Sequence, residues 1–77
     1  MKYYKKIQTD RIPNVIQYYK EDNFGNLQFL DHCEKWKTST HSNIEELKYA
    51  ISVMKWKLIE ITKEEFQCDL MVNELKR

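Results

Sequence analysis

The chain has 77 residues, 42% of them hydrophobic and 32% charged, with a formal net charge of +1. That length supports one domain and a marginal core, since a chain of this size buries only about 60% of its unfolded surface. The charge balance is too even for a strongly phosphate-binding or a polyanion-mimicking surface.

Charge does alternate along the chain. Residues 1–20 carry Lys2, Lys5, Lys6, Arg11 and Lys20 against Asp10, whereas residues 21–34 carry only Glu21, Asp22, Asp31 and Glu34. Residues 35–57 are basic again, and the remainder leans acidic through Glu60, Glu64, Glu65, Asp69 and Glu74. Folding can interleave these segments and cancel their fields.

The N-terminal half reads as strands. Lys2–Gln8 alternates Tyr3 and Ile7 against Tyr4 and Lys6, and Pro13 closes a short connection because it cannot donate to a ladder. Val15–Glu21 and Leu27–Leu30 flank Asp22-Asn23-Phe24-Gly25-Asn26, which holds the only glycine. A hairpin with a three- to five-residue loop is expected there. Lys35–Ser39 is a further short strand around Trp36.

Two helices follow from capping boxes. Ser42-Asn43-Ile44-Glu45 and Thr62-Lys63-Glu64-Glu65 both fit S/T-x-x-E, in which hydroxyl and glutamate satisfy each other's free amides. After the first, Ile44, Leu47, Ile51 and Met54 recur on one face, which predicts a helix over 43–54. Residues 56–61, apolar on both faces, predict a strand in an interior position of the sheet. A second helix is expected over 63–76, with Phe66 and Leu70 opposite Cys68, Met71, Val72 and Leu75. One of those sides should cover the sheet, leaving the other for the first helix or a second chain.

The expected fold is therefore a single small α+β domain spanning 1–77. It has an antiparallel sheet of three to five strands and two helices mainly on one face, in the order β-β-β-(β)-α-β-α. Its core should combine the first helix's face with Ile7, Ile16, Leu27, Phe29, Ile59, Ile61, Phe66 and Leu70.

Few residues suggest chemistry. Adjacent His32 and Cys33 cannot reproduce structural zinc spacing, and His41 and Cys68 are far from them in sequence. Cys33 and Cys68 read as reduced, buried small hydrophobes, with His32 and His41 on loops near solvent. Neither cysteine has an evident base and orienting group for nucleophilic catalysis. Glu45-Glu46 and Glu64-Glu65 belong to helix starts, while Asp22 and Asp31 flank a turn. No glycine-rich phosphate cradle exists. The chain is accordingly read as non-enzymatic, with no metal and no cofactor.

The remaining signal is a pair of doubled tripeptides. Tyr3-Tyr4-Lys5 recurs as Tyr18-Tyr19-Lys20, and Lys35-Trp36-Lys37 as Lys55-Trp56-Lys57. Aromatics beside lysines can stack bases or form protein hot spots, or simply supply core and cross-strand packing. Strand alternation sends half of them to each side of the sheet. The candidate interaction surface is Tyr4, Tyr19, Lys20, Trp36, Lys37, Met71 and Leu75. The leading expectation is a protein-interaction module whose partner is an unknown protein or a second copy. The alternative is binding of single-stranded nucleic acid through Tyr4, Tyr19, Trp36 and neighbouring lysines. No segment is apolar for the roughly 20 residues a membrane helix needs, and no apolar run of a secretion signal opens the chain. A cytoplasmic location is expected, and a composition rich in residues with AT-rich codons suits a low-GC bacterium or its phage.

Overall fold

The computed structural model describes the backbone of residues 1–30 and 35–75, and within these the side chains up to Val72. Its elements run in chain order as β1 (Lys2–Gln8), β2 (Val15–Glu21), β3 (Leu27–Leu30), β4 (Trp36–Thr38), α1 (Ile44–Met54), β5 (Lys57–Ile61) and α2 (Lys63–Leu75). All pairings are antiparallel and the five strands lie in the order β4-β3-β2-β1-β5. The α+β class and the element order match the sequence expectation. No helix among the described residues is long and apolar enough to cross a membrane.

The β2–β3 hairpin turns where its composition requires. Asp22 Oδ1 accepts the backbone N–H of Phe24 (2.8 Å) and of Asn26 (2.9 Å), and Oδ2 accepts the Asn26 side-chain amide. Gly25 takes φ +84°, a conformation in which a Cβ would be strained. The hydrogen bonds from Asn26, with those from Phe24 and Gly25, hold the Asp22 carboxyl below the ordinary aspartate range.

Helix starts are built as the sequence predicts, with one shift. Thr62 Oγ1 accepts the Glu65 N–H at 3.0 Å and begins α2. At α1 the cap is Asn43 rather than Ser42. Asn43 Oδ1 accepts the Glu46 N–H, and Glu46 Oε2 returns to the Ser42 N–H. This register makes Ile44 the first helical residue and buries Ile44, Leu47 and Ile51 together. The helix ends in a Schellman motif, with Lys55 in the left-handed region (φ 60°). Lys55 N–H bonds Ser52 O and Trp56 N–H bonds Ile51 O.

The largest departure concerns layers. The helices occupy opposite faces of the sheet, not mainly one. Ile44, Leu47 and Ile51 of α1 pack with Tyr4, Tyr19 and Leu27, flanked by Phe29, Trp56 and Leu58. Phe66 of α2 packs with Tyr18 and Ile61, flanked by Tyr3, Leu30, Trp36 and Leu70. Register explains the division, because Tyr4 faces Tyr19 across β1–β2 while Tyr3 and Tyr18 project to the other side.

Two helices on two faces also explain β5. It is apolar on both sides, yet it is an edge strand, because α1 covers Leu58 and α2 covers Ile61. Several expected core residues consequently lie outside the core. Ile16 and Ile59 are exposed and Ile7 is half-buried. Ile7 and Ile16 sit opposite each other, two residues beyond Lys5 and Tyr18 and so farther from the Phe66 contact. Met54, in the last turn of α1, is exposed as well. Tyrosines take their place in the core, with Tyr4, Tyr18 and Tyr19 all buried.

Candidate functional site

The seven candidate residues do not assemble into one surface. Tyr4 and Tyr19, expected on an exposed platform, are 4% and 5% exposed beneath α1. Their rings offer no free face to a base, since α1 needs an apolar floor and Tyr4 and Tyr19 are the paired residues that supply it. Burial, followed by the charges of Glu21, Glu60 and Glu45, pushes the Tyr4 hydroxyl above its ordinary value, and burial alone does the same for Tyr19.

Lys20 and Trp36 do come together, on the α2 side. Lys20 Nζ lies 4.4 Å from the Trp36 ring centroid. Trp36 is half-buried and its other contact is Phe66, with ring centroids 5.6 Å apart. Phe66 also stacks on Tyr3 at 5.1 Å and meets Tyr18 edge-on at 5.4 Å. The α2-side aromatics are therefore clamped around one phenylalanine instead of presented to solvent. Lys37 is exposed and alternates with Trp36, which places it on the opposite face from Lys20.

A polar pin holds α2 in place. Asp69 Oδ2 accepts from Lys5 Nζ at 3.0 Å and from the Tyr18 hydroxyl at 2.9 Å. Burial raises the Asp69 carboxyl, but the two hydrogen bonds and the Lys5 charge outweigh it, and the net shift is downward. Nothing in the local sequence linked Asp69 to β1 and β2.

Toward its C-terminal half, what α2 leaves outside is apolar. Met71 is 62% exposed and Val72 49%, and Cys68 is an exposed free thiol on the same outer side. The expectation that Cys68 is a buried hydrophobe is thus corrected, because Phe66, Asp69 and Leu70 take the sheet-facing positions. Leu75 belongs to α2, but its side chain lies outside the described residues, as do Asp31, His32, Cys33 and Glu34. His41 is half-buried in the loop before α1. Among the described residues, no three His, Cys, Asp or Glu side chains converge to hold a metal ion.

The burial of one charged residue was not expected from the sequence. Lys6, on the Tyr4 side of β1, is the only buried charged side chain among the described residues. Its Nζ sits 5.3 Å from the Trp56 ring centroid and 5.6 Å from that of Tyr19. The signal was available in the alternation that places Lys6 two positions after Tyr4.

No family model matches the chain, and no curated protein or solved structure is significantly similar to it.

Proposed function

We propose that the protein is a non-enzymatic interaction module that docks through the outer side of α2, with a second copy of the chain as the simplest partner. One observation carries this reading. Met71 and Val72 stand exposed beside Cys68, and α1, which could have covered them, lies on the far face of the sheet. Small domains gain stability by burying such a surface against a partner. An exposed free thiol suits a reducing compartment, and a bacterial or phage cytoplasm is the setting proposed.

Sedimentation velocity across the micromolar range tests the self-associating form. A concentration-dependent dimer is expected, and a Met71→Glu/Val72→Glu variant should weaken it roughly 30-fold or more by placing two charges in the interface. A wild type that stays monomeric at high micromolar concentration would sink this form. The nucleic-acid alternative loses the Tyr4 and Tyr19 platform that motivated it. Salt-dependent anisotropy changes with mixed single-stranded oligonucleotides would restore it.

A further inference from the structure

β5 has one unused edge. It pairs with β1 along one side, and among the described residues no strand pairs along the other. Such an edge carries a row of backbone donors and acceptors whose complement is another extended strand. Trp56-Lys57-Leu58-Ile59-Glu60-Ile61 contains neither proline nor glycine, and its single lysine and single glutamate cancel. That is the composition of a segment prone to pair edge to edge. Ile59, the middle residue of β5, is 45% exposed. The opposite edge of the sheet, β4, has only three residues. Neither helix closes the β5 edge. The buried face of α1 is centred on Tyr4, Tyr19 and Leu27, and Phe66 of α2 rests on Tyr3 and Tyr18.

We propose that β5 pairs antiparallel with β5 of a second copy, joining two five-stranded sheets into one of ten strands. Register selects this occupant. Two identical antiparallel strands are related by a two-fold axis perpendicular to the sheet, so facing residues share one side of it. A pairing centred on Glu60 would set two carboxylates face to face. One centred on Leu58 leaves Glu60 and Ile61 facing Trp56 and Lys55, which precede the strand. Centring on Ile59 pairs all five residues of both strands. Ile59 then meets its own copy, Lys57 meets Ile61 and Leu58 meets Glu60, with no like charges opposed.

Charge favours the same register. Lys6 lies opposite Leu58 in the β1–β5 ladder. In the dimer, Glu60 of the second copy lies opposite Leu58 from the other side. It stands two strand spacings, roughly 10 Å, from Lys6 on the same face, within reach of two long side chains. Inside one chain neither group is ion-paired. No described carboxylate comes within ion-pair distance of Lys6, and Glu60 is exposed without a described cation beside it. The two-fold axis brings each Glu60 toward the other copy's Lys6, so the complementarity occurs twice per dimer.

This contact is separate from the outer side of α2, so the test uses the Met71→Glu/Val72→Glu variant, in which that side is charged. A five-residue strand pair is a small interface, so it should form between high micromolar and about 1 mM protein. Sedimentation velocity should show a dimer there, and amide hydrogen exchange at residues 57–61 should slow as the concentration rises. Adding Ile59→Lys, which sets two ammonium groups face to face at the axis, should raise the dissociation constant roughly tenfold or more. Adding Glu60→Lys instead, opposed to Lys6 of the second copy, should raise it severalfold. Both positions are exposed, so the monomers should keep the parent's far-UV circular dichroism. A Met71→Glu/Val72→Glu variant that stays monomeric throughout would overturn the proposal and leave the α2 contact to be judged on the wild type. A dimer that either added substitution leaves unweakened would overturn it as well.

Discussion

A tyrosine's position in a strand decides whether its ring is surface or floor. Tyr3-Tyr4 and Tyr18-Tyr19 resemble an exposed aromatic cluster in the sequence, but each pair splits across the sheet and each face meets a helix. Alternation alone revealed the splitting; which faces would be covered was not a local property. Lys55 is a residue-scale feature that no pattern disclosed. It takes a left-handed conformation normally left to glycine, at a cost to any residue with a Cβ. Lys55→Gly should relieve that strain and raise stability by about 0.5–1 kcal/mol, net of the greater freedom glycine gives the unfolded chain. Urea denaturation read by far-UV circular dichroism measures it, and a lower midpoint for the variant would contradict the strain argument.

At the scale of elements, helices were the most legible part, because caps and apolar periodicity are both short-range signals. The first cap nevertheless moved by one residue. Ser42-Asn43-Ile44-Glu45-Glu46 contains two overlapping candidate boxes, Ser42 with Glu45 and Asn43 with Glu46; Asn43 is the cap, and Glu46 reaches back one residue further, to the Ser42 N–H. Asn43→Ala should therefore cost about 1 kcal/mol, whereas Ser42→Ala should stay within about 0.5 kcal/mol of wild type. Thermal unfolding of the two variants side by side decides it, and the reverse ranking would place the cap at Ser42. The second helix was legible as amphipathic on both sides. Its inner side proved to be Phe66 and Leu70 joined by Asp69, a carboxylate that hydropathy alone would have assigned to solvent.

For the molecule as a whole, Asp69 links acid stability to the attachment of α2. Its carboxyl is shifted downward in the folded state. Its contribution is thus present above the ordinary aspartate value, near pH 4, and is lost as pH falls through the folded value. Lys5 and Asp69 are each about a quarter exposed, so solvent screening limits the contribution to about 1 kcal/mol. Asp69→Asn should lower the urea midpoint at neutral pH and flatten the acid limb of the stability profile. Trp36, packed on Phe66 of α2, is the fluorescence reporter. An unchanged acid limb in the variant would show that other carboxylates govern acid unfolding.

By itself the sequence determined what local periodicity and turn chemistry can determine. The four N-terminal strands, the Asp22–Asn26 hairpin, both helices and the α+β class all follow from spacings of a few residues. Tertiary structure decided the rest: the placement of β5 at an edge beside β1, the division of the helices between two faces, and the burial of Lys6 between Tyr19 and Trp56. These depend on pairings between residues up to 64 positions apart, such as Lys5 with Asp69. A strand's alternation specifies that it has two faces, and only the docking of distant helices specifies what each face meets.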